Sequence, residues 1–180
     1  VEKAAMAKTD DIQRKRVGKD TLDRLDRKIL SALVEDATQS YAAIGQAVGL
    51  SAPAVHERVK KLKARGVIRG TGALLDGPAL GKPLLVFVHV ATNRWGHSEA
   101  IDALTALPEL EEMHSVTGAT SMILKLRLAD TQALEALLRQ INAFESVEST
   151  HTFVTLSTYL ERPVQATVTE HWQAPPRPKE

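Results

Sequence analysis

The sequence predicts an α+β protein in which an N-terminal helix-turn-helix domain precedes a ferredoxin-like βαββαβ domain. Three observations carry that expectation. Apolar residues recur at helical spacing in three blocks between residues 21 and 65, and Val48-Gly49-Leu50-Ser51 separates the last two. From Leu84 onward stretches of period two alternate with helical blocks in the order strand, helix, strand, given twice. The two halves of that region echo each other, ALTALPELEEMHSV against ALLRQINAFESVESTHTF, as two copies of one unit closed into a single sheet would.

The first helix is expected over roughly 21–35, with Leu22, Leu25, Ile29, Leu33 and Val34 as its apolar stripe. Asp20 or Thr21 serves as its cap, and Asp23 places a carboxylate in the first turn, where free amides favour it. Ser40 caps a short second helix that carries Ile44, Ala47 and Val48 inward. Gly49 ends it, because glycine takes the left-handed conformation without penalty. Ser51 caps a third helix, and Pro53 falls in its first turn, where a missing amide costs little. Val55, Val59 and Leu62 form its buried stripe, and Gly66 terminates it.

This order is that of a helix-turn-helix, whose second helix enters a major groove. The stripe through 55, 59 and 62 turns Ala52, Pro53, His56, Glu57 and Lys60 outward, with Lys61 and Lys63 beside them. Together with Ser40, Tyr41 and Ser51, the residues Ala52, Pro53, His56, Glu57, Lys60 and Lys61 are the expected DNA-binding set. Amides at the start of the third helix suit a phosphate. Lys60 and Lys61 either neutralise phosphates or form a solvated face. His56 either donates to a base edge or lies idle at the rim. Glu57 repels phosphate unless it accepts from a cytosine amine or orients a lysine. Arg58, beside the buried stripe, is expected to pair with a first-helix carboxylate such as Asp26 or Asp36. A three-helix bundle with such a turn need not bind DNA.

After Gly66, the pieces Val67–Arg69 and Ala73–Leu75 read as a strand or ribbon, followed by a turn at Asp76-Gly77-Pro78. Pro83 suits the beginning of the next strand. Strands are expected at 84–90, 111–117 and 122–128, and within 147–159. Ser98 and Asp130 cap the helices between them. Leu84, Val86, Val88 and Val90 suit the helix-covered face of the sheet. The opposite face carries Leu85, Phe87, Ile123, Phe153 and Tyr159, interrupted by His89, Lys125 and Arg127. Several large apolar groups on an open face need a partner, so Leu85, Phe87, Ile123, Phe153 and Tyr159 are the expected dimer interface. Paired subunits also suit palindromic half-sites. The resulting division is a tail at 1–19, the helix-turn-helix domain at 20–68, a linker strand and turn at 69–82, the ferredoxin-like domain at 83–160 and an extension at 161–180. Val164–Val168 suits an edge strand or short extension, and Trp172 either packs on a neighbour or is exposed.

Composition is that of a globular chain: of 180 residues, 43% are hydrophobic, 25% charged and 4% aromatic. The absence of cysteine excludes disulfides, thiolate metal sites and cysteine nucleophiles. No apolar run approaches a membrane span, and the N-terminal residues have no signal-like apolar core. A cytoplasmic location and no membrane partner are expected. The net charge of +1 conceals an asymmetry. Residues 1–70 hold 15 Lys and Arg against 9 Asp and Glu, whereas residues 71–180 hold 8 against 13. The basic half, which contains the helix-turn-helix, is the one suited to polyanions. Six histidines are present, without an H-E-x-x-H or a closely spaced metal pair. No catalytic residue, cofactor or metal is expected. His89 and His114 lie on expected strands and are able to approach one another, with a structural role favoured.

Two segments, LDRLDRKILSALVEDATQSYAAIGQAVGLSAPAVHERVKKLKARGVIRG at 22–70 and HSVTGATSMILKLRLADTQALEALL at 114–138, give the chain a resemblance to the leucine-responsive/asparagine-regulator (feast/famine) family of transcriptional regulators. That resemblance implies a winged form of the helix-turn-helix bound to double-stranded DNA at a pseudo-palindromic operator. It implies homodimers that assemble to tetramers or octamers, and amino-acid sensing by the ferredoxin-like domain. Effectors would bind between subunits near the loop joining the second and third strands, here Thr117, Gly118, Ala119, Thr120 and Ser121, with Met113 beside it. The family pattern in that loop is close to G-x-Y-D. Gly118 matches, but Thr120 and Ser121 replace the aromatic and the aspartate. A serine cannot offer the same charge to an ammonium group. The effector is thus expected to differ from a standard amino acid, to lack an ammonium group, or to be absent, leaving 118–121 a plain turn. Two alternatives stand beside the regulator: an enzyme resembling siroheme decarboxylases, which share the family outline, and a ligand-free architectural or assembly protein.

Overall fold

A computed structural model describes residues 22–93 and 99–169, with backbone alone for 99 and 100. Asp20, Thr21, His97, Ser98, His171 and Trp172, like the tail 1–19, lie outside the described residues. The chain divides into two compact units. Of the described residues, 22–72 with 162–169 form the first, and those within Ala73–Glu161 form the second.

In the first unit, helix α1 spans Arg24–Glu35. Its start falls three residues later than expected. Asp23 is the cap and not a first-turn residue: its backbone is extended and its Oδ1 accepts from the amide of Asp26 at 2.7 Å. Helix α2, Tyr41–Val48, is capped by Ser40, whose Oγ accepts from Ala43, and ends at Gly49 in the left-handed conformation. Helix α3, Ala52–Ala64, is capped by Ser51, with Pro53 in its first turn. Ile29, Ile44, Val55 and Val59 from the three helices close one core, with Leu33, Tyr41, Leu50 and Ile68 packed around it. Each fully buried member contributes about 1.5–3 kcal/mol. Ala47, expected inward, is exposed, and Gly45 takes the buried position. A Cβ on Gly45 would collide with the carbonyl oxygen of Leu50, so the turn after α2 folds back onto α2 only over a residue without a side chain.

The segment 67–75 forms no strand. Val67 and Ile68 are bends whose amides both donate to the carbonyl of Leu62, at 2.9 and 3.3 Å, so the end of α3 takes the bonds a ladder would use. Leu74 and Leu75 are exposed. The turn that follows is as expected: Pro78–Leu80 forms one turn of 3-10 helix, and Asp76 Oδ1 accepts from Ala79 at 2.7 Å.

The sheet of the second unit begins after Pro83. Strand β1 spans Leu84–Thr92, helix α4 Glu99–Thr105, β2 Leu110–Ser115, β3 Met122–Leu128, helix α5 Thr131–Asn142 and β4 Val147–Val154. The antiparallel sheet has the order β2-β3-β1-β4, which closes two βαβ halves into one ferredoxin-like sheet. Asp130 caps α5, accepting from Ala133 at 2.8 Å. The core lies on the helix face of the sheet. It consists of Val86, Val88 and Val90 from β1, Met122, Leu124, Leu126 and Leu128 from β3, Leu104 from α4, and Leu134, Leu137 and Ile141 from α5. Val164–Val168 is not a strand, and Val164 and Val168 are exposed. Within the first unit, Arg27 Nη1 of α1 donates to the carbonyl of Ala166 in the extension at 2.7 Å.

Candidate nucleic-acid interface

Helix α3 has two faces. Val55, Val59 and Leu62 are buried at 0–2% exposure, while Pro53, His56, Glu57, Lys60 and Lys61 are exposed and Ala52 is half-buried. The burial of three residues at helical spacing fixes which side chains face solvent. Ser40 and Ser51 spend their hydroxyls on capping. Tyr41 is half-buried against the core, and its ring lies 5.5 Å from that of His56, so α2 and α3 meet at the recognition surface. His56 Nδ1 and Glu57 Oε1 are 4.0 Å apart.

The orientation of α3 is set by Arg58. Its Nη1 lies 2.6 Å from Asp23 Oδ2 and 2.7 Å from Asp26 Oδ1. The pairing with Asp26 is as expected. Asp36, the other expected partner, instead accepts from the backbone and hydroxyl of Thr38. Asp23 is the second partner, not named among those expected from the sequence. It holds two jobs, because one carboxylate oxygen caps α1 while the other receives Arg58. The amide of Asp26 and then the guanidinium hold the Asp23 carboxyl below the usual carboxylate range, and the two carboxylates raise Arg58. Asp26 is the buried charged residue of the chain's described core, at 8% exposure. Arg58 thus clamps the recognition helix to the first turn of α1 and takes its charge away from the outward face.

The expected effector loop is the β2–β3 turn. It is closed from within: Val116 donates to the carbonyl of Ser121 at 3.0 Å, and Ser121 to that of Val90 at 2.9 Å. The Thr120 hydroxyl donates to the Val90 carbonyl at 2.9 Å, and the Ser121 hydroxyl accepts from Thr92 at 3.1 Å. Both hydroxyls thus latch the turn to the end of β1, where the β1–β4 register shifts at Ala91/Thr92. Thr117, Gly118 and Ala119 are exposed at its tip. Met113 lies on β2, before that tip. It packs against the core opposite Leu124, because a register shift between Leu110 and Glu112 sets it on the helix side of β2.

That same shift places both Glu111 and Glu112 beside the cations of the open face. Glu111 lies 3.1 Å from Lys125 and 2.5 Å from Arg127, and Glu161 lies 2.8 Å and 3.2 Å from the same two cations. Hydrogen bonds to Glu161 and Glu111 outweigh the larger single effect of burial and raise Lys125. Lys125, with Arg127, lowers Glu161. Of the expected interface residues, Phe87 and Ile123 are half-buried and Phe153 is 56% exposed. Leu85 is already covered at 7% exposure, so it is not a free contact. Tyr159 lies beyond the end of β4 and is not a sheet residue, although it is 97% exposed. His89 and His114 do not meet, since Ile123 stands between them in the register. No group of three or more potential metal ligands comes together among the described residues. No helix among them is long and apolar enough to cross a membrane.

A helix-turn-helix with a cationic, solvent-facing second helix, joined to a ferredoxin-like domain, defines a DNA-binding transcriptional regulator. The chain belongs to the Lrp/AsnC family. Residues 22–63 match the AsnC-type helix-turn-helix domain, and residues 85–165 match the Lrp/AsnC ligand binding domain. The leucine-responsive regulatory protein of Escherichia coli K12 is 38% identical over 148 residues, covering 79% of this chain and 89% of its own. The HTH-type transcriptional regulator FL11 of Pyrococcus horikoshii is 34% identical over 140 residues, covering 78% and 93%. Among solved structures, E. coli AsnC superposes with a TM-score of 0.72 at 29% identity, covering 80% of this chain and 98% of its own. Both of these curated relatives are regulators by name.

Proposed function

We propose that this protein regulates transcription from the cytoplasm as a homodimer on a pseudo-palindromic operator, with tetramers or octamers as the higher assemblies. The observation that carries this reading is the split of α3. Its buried stripe leaves Pro53, His56, Glu57, Lys60 and Lys61 on one accessible face, and Arg58, the cation nearest the core, is spent on Asp23 and Asp26. Lys60 and Lys61 would supply phosphate neutralisation. Ala52, Pro53 and His56 would read base edges, with Ser40, Tyr41 and Ser51 holding the two helices in register. The ferredoxin-like unit would join two copies through Phe87, Ile123 and Phe153 on its open face. The binding of a small metabolite near Thr117–Ser121 would shift the population of subunit arrangements.

The effector is expected to be unlike a free amino acid in one respect. The turn offers hydroxyls, already engaged with β1, where a carboxylate would be needed to receive an ammonium group. Selection of bound DNA from a random pool, with and without a panel of amino acids and their deaminated analogues, tests the reading. A two-fold symmetric consensus supports it. Pools that yield no enriched sequence at low salt refute it. Lys60→Ala/Lys61→Ala should weaken binding to every sequence and flatten its salt dependence by about two units of slope.

A further inference from the structure

The open face of the sheet carries a line of imidazoles. The register sets His114 of β2 opposite Ile123 of β3, Ile123 opposite His89 of β1, and His89 opposite His151 of β4. The alternate residues Val88, Val90, Met122 and Leu124 are buried under the helices, so this line projects from the other side. His89 is half-buried with its ring 4.9 Å from that of Phe153, while His151 and His114 are exposed.

The charged groups around the line come from every neighbouring element. On β2, Glu112 lies 3.0 Å from His114, and its carboxyl is lowered by that contact first and by Lys125 after it. On β3, Lys125 and Arg127 are matched by Glu111, Glu112 and Glu161. On β4, Glu148 sits at the register shift beyond Ser149. His89 and His151 have neither an ion-pair nor a hydrogen-bond partner among the described residues. They are two facing imidazoles beside Ile123 and Phe153, without a counter-ion among the described residues.

We propose that proton uptake by the His89–His151 pair loosens the association of two copies through this sheet face. The inference rests on the reading of that face as the copy–copy interface. Neutral imidazoles pack as flat, weakly polar groups. Protonated ones place like charges directly across the β1–β4 ladder, which is unfavourable in itself. A second copy laid over the face also strips water from those charges, and two-fold symmetry doubles the effect. Covering the face therefore favours the neutral rings. Association is strongest where the rings are neutral and weakens as acid charges them. His114 stands apart, because Glu112 compensates its charge.

The test is sedimentation equilibrium of the full chain at pH 8 and pH 5.5. The parent's dissociation constant should rise at least about tenfold on acidification, because two-fold symmetry places at least two such rings in every interface and their effects multiply. His89→Gln/His151→Gln should change less than about threefold over the same interval, while His114→Gln should keep the parent's response. His151→Gln alone, at an exposed edge-strand position, serves if the double variant does not fold, and should show a reduced response. Phe153→Glu, checked for parental far-UV circular dichroism, should be monomeric at pH 8. A dimeric Phe153→Glu protein would overturn the interface reading and this inference with it. A monomeric Phe153→Glu protein, with a parent insensitive to pH or a glutamine variant as sensitive as the parent, would overturn the proton linkage alone.

Discussion

Replacing Arg58 by Met removes the clamp between α3 and α1 while keeping a side chain of similar length. Arg58 retains 31% of its side-chain exposure, Asp26 retains 11% and Asp23 52%. Breaking a fully buried pair costs about 3–5 kcal/mol, because the surviving charge stays desolvated. The Asp26 arm is mostly buried but shares a partly exposed cation, which brings its cost to about 2 kcal/mol, whereas the half-exposed Asp23 arm adds less than about 1 kcal/mol. A loss of about 2 kcal/mol lowers the melting temperature of a unit this small by about 10 °C. It should also speed amide exchange in α1 and α3 by about 30-fold. Hydrogen exchange read by mass spectrometry is the assay of choice, because it reports this unit separately from the sheet. Adding Asp26→Leu should recover most of the loss, since a charge pair exchanged for apolar groups of similar volume is close to neutral. Unchanged exchange in Arg58→Met, or a double variant worse than the single, would refute the argument.

Gly45→Ala gains about 1 kcal/mol of helix propensity but drives a methyl into the Leu50 carbonyl. The net effect should be a loss of about 1–3 kcal/mol with weakened DNA binding, measured by urea denaturation and fluorescence anisotropy. Asp130→Ala removes the cap of α5 and should cost about 1 kcal/mol in thermal denaturation, without altering DNA affinity at fixed dimer concentration. Acid should destabilise both units. Asp23, Glu112 and Glu161 all sit below their ordinary values. Folding therefore keeps their contribution above the unfolded carboxylate range and loses it as pH falls through the lowered folded values. Glu161→Gln should shrink the acid-induced loss in the sheet unit, as followed by circular dichroism from pH 6 to pH 2.

Much of this architecture was legible in the chain. The alternation through Met122, Leu124, Leu126 and Leu128 gave β3 its face, and Ser40, Ser51 and Asp130 marked three helix starts, because a short acceptor side chain before an apolar run has one cheap use there. The start of α1 was harder, since Asp20, Thr21 and Asp23 are all competent caps and only the partner Arg58 distinguishes the last. The inward position of Met113 was not legible, because a bulge changes the face of a strand without leaving a mark in composition. The strand or ribbon expected from Val67–Arg69 and Ala73–Leu75 failed for a different reason: the amides of Val67 and Ile68 are taken by Leu62 at the end of α3. Gly45 carried a readable sign, a glycine inside a helical pattern, whose cause was a contact five residues away.

The two units have hydrophobic interiors that share no residue, Ile29, Ile44, Val55 and Val59 in one and the β1–β3–α5 cluster in the other. A calorimetric scan should accordingly resolve more than a single cooperative event. Each half is thereby free to accumulate changes at its own pace, so that a new operator preference can arise without retuning the half that senses, and the reverse.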